Sequence, residues 1–464
     1  MGDHFDVVIA GARCAGSPLA IQLARSGLKV AVVDRARFPS DTPSTHFFQA
    51  EGIASLKRLG VLDLLVATGA PFIDLATMRV EDIVAEIPWP TRAGDAAGAM
   101  SVRRPVLDTI LVEAARAAGA EVRTSTKVTG LLTNDGRVTG VGVRSDGRDA
   151  ELRAQVVVGA DGRGSTVGDL VGARPYNVTR SERFFYWSYY EGTCPQRPAT
   201  AWFHRWDEEL MIGFPCDDGA FLVGVGPPLD RLDSFTADAQ RSFDAHLAMC
   251  EPLAALVTAP GVRRLGRLHR MTNVDGYLRE SAGPGWALVG DAGHFKDPTP
   301  AQGISDALRQ VDRLAPAIVD GLGGREPLDD ALARWWRWRD DDAADHYWFA
   351  ADLGRAGRIP AFFVEALRDL ITTAEGTRRF MDVLNHRTRP SEVVTPGAIG
   401  GAVWRLMKAG DHPRRQALAE VGRAVSDDYR RRRLNRHPVF AGTSDLVDHY
   451  PEVDLATIGD STLA

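Results

Sequence analysis

Gly11, Arg13, Cys14, Ala15 and Gly16 stand between an apolar, β-branched run at 5–10 (FDVVIA) and a helical stretch that opens at Pro18 and stops at Gly27. A glycine turn between strand and helix offers backbone N–H groups, and the positive end of the helix dipole, to a pyrophosphate. Gly11 permits the tight turn and Gly16 lets helix and strand pack closely. A second apolar run, 29–33 (KVAVV), ends on Asp34 and Arg35. A carboxylate in that place accepts hydrogen bonds from the ribose hydroxyls of an adenosine. Strand, glycine turn, helix, strand and acid follow in the order of a dinucleotide-binding βαβ unit. Arg13 replaces the middle glycine of G-x-G-x-x-G. Its Cβ hinders backbone approach to phosphate, while its guanidinium is able to pair with phosphate itself. An ordinary strand–loop–helix without a ligand is the competing reading.

Two later runs also end on an acid. One, 156–158 (VVV), leads through Gly159 and Ala160 to Asp161 and Gly162, with Ser165 at a helix start. The other, 286–289 (WALV), leads to Gly290 and Asp291, then His294, Lys296, Asp297 and Pro298, and a helix opens near Gln302, Gly303 and Ile304. His46 and His294, both on loops, are candidates for proton handling, because imidazole changes charge near neutral pH. Asp297 and Pro298 complete the catalytic candidates. Lys296 beside Asp297 suggests an ion pair. Cys14 lies in a first helical turn, where a thiol pKa can fall, with plain packing as the alternative. Trp187, Tyr189, Trp202 and Phe203 lie on alternating segments, where period two allows about half to face one pocket.

The elements that must position these groups follow from periodicity. The run 35–46 is a polar, proline-bearing loop, and 49–65 carries Ile53, Leu56, Leu59, Leu62 and Leu65 on one helical stripe. Residues 71–100 suggest strands of another sheet, and Arg104 and Pro105 open a helix at 106–118. Strands at 121–123, 127–132, 138–143 and 151–158 are joined by turns at Asn134–Gly136 and Asp146–Gly147. From 180 to 268 aromatic-rich alternation reads as an antiparallel sheet with a helix near 235–249, and beyond 321 the chain reads as mostly helical.

A chain of 464 residues allows two or three domains. A net charge of −6 gives no reason to expect nucleic acid, and the run Arg430 to Arg433 decorates a helix in this reading. Cys14, Cys194, Cys216 and Cys250 are widely spaced without C-x-x-C, so neither a metal site nor a disulfide framework is expected. No signal peptide and no transmembrane helix are expected, which points to a reducing cytoplasm. Oligomeric state is left open.

The three strand-to-loop stations, with an aromatic sheet between the second and third, resemble the FAD-dependent monooxygenases of the para-hydroxybenzoate hydroxylase type and the related geranylgeranyl-reductase-like flavoproteins. The resemblance covers roughly residues 1–320. It implies an α/β fold: a Rossmann-type FAD-binding domain (1–75, 101–178 and 284–320), an inserted antiparallel β-sheet substrate domain (76–100 and 179–283) and a helical C-terminal region (321–464). It implies FAD as cofactor, with Gly11, Ala15 and Gly16 at the pyrophosphate, Asp34 at the ribose and Arg104 at the flavin, Arg103 being the fallback. Asp161 and Gly162 would match the family's Asp-Gly element, although Gly168 stands where the family carries an arginine. Asp291 would accept from a ribityl hydroxyl, and Pro298, Gln302, Gly303 and Ile304 would pass the pyrimidine edge. The implied reaction uses NADPH or NADH as transient reductant and O2 to oxygenate an aromatic or polyketide/terpenoid-like molecule. A reductase of carbon–carbon double bonds is the main alternative. A halogenase is a weaker one, because Trp336-Arg337-Trp338 lacks the Ile-Pro of that group's motif. A non-catalytic flavin sensor or prenyl-binding escort is the alternative outside enzymes.

Overall fold

The computed structural model describes residues 3–96, 98–196, 198–409 and 413–441. Strands Trp286–Leu288, Arg148–Gly159, Asp3–Ala10, Val30–Val33 and Glu121–Arg123 lie side by side in that order, all parallel. Their central residues are buried on both faces, which accounts for the unbroken apolar runs that replace alternation here. Helices Gly16–Arg25, Arg104–Ala117 and Gly303–Leu322 cover one face. On the other face, the antiparallel strands Thr126–Asn134 and Arg137–Ser145 fold back and bury Val128, Val138, Val141 and Val143 against the sheet.

The second sheet runs Arg263–Met271, Phe185–Glu191, Phe221–Val225, Glu209–Pro215, Thr200–Trp206, Leu75–Val80 and Ile83–Pro88. It is antiparallel except where Thr200–Trp206 meets Leu75–Val80 in parallel. Helices Leu232–Ala237, Ala239–Ala248 and Glu251–Val257 occur where one helix was expected, and they cover Tyr186, Tyr190 and Trp202. The opposite face carries Trp187, Tyr189 and Phe214 against Phe47, Met381 and Leu384.

The single helix expected at 49–65 is two, Ala50–Arg58 and Leu62–Val66. Gly60, at φ +74°, adopts the left-handed backbone that ends the first piece. The apolar stripe survives the break because both pieces pack on one core. The C-terminal region is helical from Leu328–Gly354 to Arg414–Arg436, and the expected helical reach to 464 extends past 441, outside the described residues. Among the described residues no helix is long and apolar enough to cross a membrane.

Candidate active site

The three stations sit together because their strands are neighbours. Ala160 N donates to Ala10 O at 2.7 Å and Val289 N to Gly159 O at 2.9 Å, so the three chain exits line up at the carboxyl edge of the sheet. That edge is where open α/β sheets bind ligands. A Cβ on Gly11 would run into the Ala160 carbonyl, and one on Gly16 into the carbonyl of Gly11. The turn therefore admits no side chain at either place. Ala15 approaches Gly290 closely enough that a Cβ there would lie 3.1 Å from its own.

Each station acid has a different environment. Both carboxylate oxygens of Asp34 accept from backbone N–H groups, of Ala12 at 2.7 Å and Ala36 at 2.8 Å, so the side chain ties the glycine turn to the second strand. Any ribose would use its remaining lone pairs. Arg35, next to it, is exposed. Asp161 accepts from Ser165 Oγ at 2.5 Å and Val167 N at 3.1 Å, and holds the short helix Thr166–Leu170; Gly162 turns the loop at φ +82°. Asp291 differs from both: its carboxylate has no hydrogen-bond partner among the described residues, and burial, opposed by Arg163 and Arg104, pushes it up to about 6. The side chain is half-buried at the sheet edge, with oxygens that no donor among the described residues takes, and a ribityl hydroxyl would supply a donor. On this ground the residues fit FAD.

A test follows from that carboxyl. A hydroxyl donating to the ionised form lowers its pKa in the FAD-bound state relative to the apoprotein. FAD affinity should therefore be full above about pH 6 and fall as pH drops below it, approaching tenfold per unit at most. In the apoprotein the raised pKa works the other way, so its stability is lost as pH rises through about 6. Fluorescence titration of apoprotein with FAD from about pH 8 to about pH 5 measures the slope. Asp291→Asn should be flat, and a flat wild-type curve would remove Asp291 from the ribityl contact.

Arg13 does not face the glycine turn. Its Nη1 donates to Asp108 Oδ2 at 2.8 Å and its Nη2 to Ser40 Oγ at 2.9 Å. Asp108 is fully buried and also receives Arg104 Nε at 3.1 Å and the Cys14 thiol at 3.3 Å. Burial pushes the Cys14 thiol far above its ordinary value, so the first-turn position does not activate it. Arg104 is buried too, and the pull of burial on its charge is outweighed by Asp108. Asp108 thus anchors both Arg13 of the glycine turn and the buried Arg104, a role the sequence reading missed. The i,i+4 spacing of Arg104 and Asp108 was the available signal.

His46 joins the two sheets. It is fully buried, at φ +59°, and its Nδ1 accepts from Arg104 N at 3.1 Å. Burial, then the Arg104 charge, holds its pKa well below the imidazole range, so the ring is neutral. With Nδ1 accepting, the proton is on Nε2 and is donated to Tyr189 Oη. Trp187 Nε1 donates to the same oxygen at 3.3 Å. Tyr189 Oη therefore has two donors, and its own O–H has no acceptor among the described residues. His269 stacks on Trp187 and faces Asp41 of the 35–46 loop at 3.9 Å. Phe203 shares this face of the sheet, whereas Trp202 points the other way, under the helices, because strand alternation separates neighbours. Trp202 is core there, not part of the pocket wall.

The third loop departs from expectation most. Lys296 pairs with Asp306, at 2.7 Å, and with Gln302 Oε1, at 2.6 Å, rather than with Asp297. Gln302 Nε2 donates to the carbonyls of Val383 and Leu384, so its side chain fastens the loop to the helical tail. Asp297 accepts from Thr299 N at 2.9 Å and Thr299 Oγ1 at 2.5 Å and packs against Gly354. Burial lifts its carboxyl to about 6. His294 is neutral by burial, bonds Gln310 at 3.3 Å and packs on Tyr347, so it lies among the helices and not with His46. Pro298 O accepts from Ala301 N at 2.8 Å, closing the turn that leads to Gly303, the first residue of its helix, and to buried Ile304. At the second station, a Cβ on Gly168 would meet the guanidinium of Arg279, which comes from Gly276–Arg279. The space beside Gly168 is filled by an arginine from another strand. Among the described residues no cluster of His, Cys, Asp or Glu could hold a metal ion.

Residues 4–216 match the family model described as an FAD binding domain. The menaquinone reductase of Mycolicibacterium smegmatis is 30% identical over 350 residues, 70% of this chain and 78% of that protein. The rifampicin monooxygenase of Streptomyces venezuelae is 30% identical over 344 residues, 70% of this chain and 67% of that one. The structure of the flavin-dependent brominase Bmp2 superposes with a TM-score of 0.69 at 20% identity, over 88% of this chain and all of that one, and shows the shared fold. The chain belongs to the family of FAD-binding oxidoreductases that includes the para-hydroxybenzoate hydroxylase-type monooxygenases and the geranylgeranyl-reductase-like flavoproteins.

Proposed function

We propose that the protein is an NAD(P)H-dependent monooxygenase that places one atom of O2 on an aromatic or polyketide-like small molecule. The observation that carries this reading is the unclaimed O–H of Tyr189, held by His46 and Trp187 on the sheet face toward Arg104. A buried donor of that kind recognises a substrate oxygen, such as a phenol, quinone or polyketide ring carries. FAD, when bound, supplies the relay of two electrons from nicotinamide to O2. The chain's own residues would do the rest: Gly11, Ala15 and Gly16 take the pyrophosphate, Asp34 the ribose and Asp291 the ribityl chain. The N-terminus of Gly303–Leu322 would favour negative charge at the pyrimidine edge. One oxygen atom enters the substrate and the other leaves as water, with the hydride of NAD(P)H and a proton. The four free cysteines suit work in a reducing cytoplasm.

Reduction of a carbon–carbon double bond is the second reading. It is favoured by the identity with menaquinone reductase and by the apolar wall of Phe47, Trp89, Phe203 and Phe214. Halogenation has less support. Lys296 is the buried lysine of the described chain and is held by Asp306, while Trp336, on the helix Leu328–Gly354, donates to Tyr176. Product formed under 18O2 decides between the first two: label in the product supports oxygenation, and an unlabelled product gaining two hydrogens under nitrogen makes it a reductase. Tyr189→Phe should raise KM by about two- to tenfold, the worth of one neutral hydrogen bond, with FAD content unchanged. An unchanged KM would sink the role of Tyr189.

A further inference from the structure

Two helices that pack on each other turn polar sides to a shared cleft. Glu51, Ser55 and Arg58 come from Ala50–Arg58 at the i, i+4, i+7 spacing of one helical face. Arg309, Asp312 and Arg313 come from Gly303–Leu322 at i, i+3, i+4. Together they line a cavity of about 230 Å³. Ser55 is buried, Arg309 is half-buried, and Arg58 and Arg313 are exposed, so the cleft opens to solvent. Its carboxylates are already engaged. Asp312 accepts from Gln22 Nε2 at 2.7 Å, Ser55 Oγ at 2.6 Å and Arg58 Nη2 at 2.5 Å. Glu51 accepts from Arg387 Nε at 2.8 Å. Arg309 gives Nε and Nη2 to Asp342, at 2.8 and 2.7 Å. The surplus is of donors: Arg309 Nη1, Arg58 Nε and Nη1, and the whole guanidinium of Arg313 have no acceptor among the described residues. Arg313 lies instead over Trp338, 5.5 Å from the ring centre. Three arginines against two carboxylates leave the lining with one positive charge in excess, on a chain whose net charge is −6.

We propose that this cleft binds a phosphoryl dianion through Arg58, Arg309 and Arg313. The inference goes beyond the proposed reaction and does not rest on it, because no lining residue bonds His46, Tyr189 or Asp291. A guanidinium presents its N–H groups as a planar fork, which matches two oxygens of a phosphoryl group at once. Arginines on two helices reach such an ion from two sides. A metal cation is the wrong ligand here, since the carboxylates that would hold it are taken by protein donors. The cavity is also smaller than the about 300–1,000 Å³ of sites for drug-sized ligands. It therefore suits the phosphoryl group itself and not a whole nucleotide. Inorganic phosphate and the 2′-phosphate of NADP are two sources of that group.

Isothermal titration calorimetry of the FAD-loaded protein tests this at about pH 8, where the phosphoryl group is a dianion. Sodium phosphate, NADP+ and NAD+ are the probes, and sodium chloride keeps the ionic strength constant. Phosphate should bind the wild type. Arg313→Gln should weaken it by about tenfold, the lower end for a charge-assisted hydrogen bond because the guanidinium faces solvent. Arg58→Gln should act in the same direction. Arg313 holds no carboxylate, so its loss should leave the fold and the basal turnover as they are. Arg313→Lys keeps the charge without the fork and should recover part of the affinity. NADP+ bound more tightly than NAD+, with the difference gone in Arg313→Gln, would make the coenzyme the source of the phosphoryl group. Equal binding of the two coenzymes, with phosphate bound and lost in the variants, would make free phosphate the source. A wild type that neither binds phosphate nor prefers NADP+ would overturn the proposal. So would phosphate binding, or a preference for NADP+, that survives both glutamine variants, because the ion would then sit elsewhere.

Discussion

Asp108→Asn is expected to lower the unfolding free energy by about 3–5 kcal/mol, the usual result of removing one member of a buried ion pair. The carboxylate is fully enclosed and receives Arg13, Arg104 and the Cys14 thiol. Asparagine keeps the volume but removes the charge, and it leaves the buried Arg104 guanidinium without its counter-ion. Arg104 also gives its backbone N–H to His46, so the disturbance reaches the Tyr189 oxygen. FAD content of the purified variant should fall with stability. Arg13→Gly is the contrast. It restores the glycine pattern of the phosphate turn, and Arg13 is partly solvated, so the loss should be no more than about 1 kcal/mol. Urea unfolding of the two variants measures both. Equal losses would mean that Asp108 is anchoring the turn through Arg13 and not holding Arg104.

What the sequence makes legible here is what is local. A buried strand that ends on glycine and an acid is contained within about a dozen residues, so Gly11, Asp161 and Asp291 could be placed before any coordinates. The alternation that divides Trp187 and Tyr189 from Tyr186 and Tyr190 is local as well, but which side meets the nucleotide-binding sheet is not. Pairings across the chain left no such trace. Arg13 and Asp108 are 95 positions apart, and His46 and Tyr189 are 143 apart. Arg279 fills the space at Gly168 from a strand more than a hundred residues away. Even Lys296 was assigned to its neighbour Asp297. In an extended loop adjacent side chains diverge, while the helix that opens at Gly303 returns Asp306 to the lysine.

That pair gives the second large effect. Lys296→Met is expected to cost about 3–5 kcal/mol, because the Asp306 carboxylate stays buried with His386, at 2.8 Å, as its remaining close partner. Burial alone would raise the pKa of Asp306, but Lys296 and then His386 hold it well below the carboxylate range. A depressed carboxylate contributes stability that is present above its unfolded value near 4 and is lost as pH falls through the folded one. Without the ammonium that folded value rises, so in the variant protonation relieves the unpaired charge at milder acidity. The deficit relative to wild type should therefore shrink as pH falls from about 7 to about 4. A deficit that stays constant would trace the loss to packing alone. Lys296→Met combined with Asp306→Leu removes both charges together and should be less destabilised than either single change, since an apolar pair is often as stable as the ion pair it replaces. The loop from Lys296 to Gln302 should still suffer in the double variant, because Gln302 Oε1 loses its donor while Gln302 Nε2 keeps the Val383 and Leu384 carbonyls. Recovered stability with weakened FAD binding would then assign Lys296 to setting the loop rather than to holding the fold.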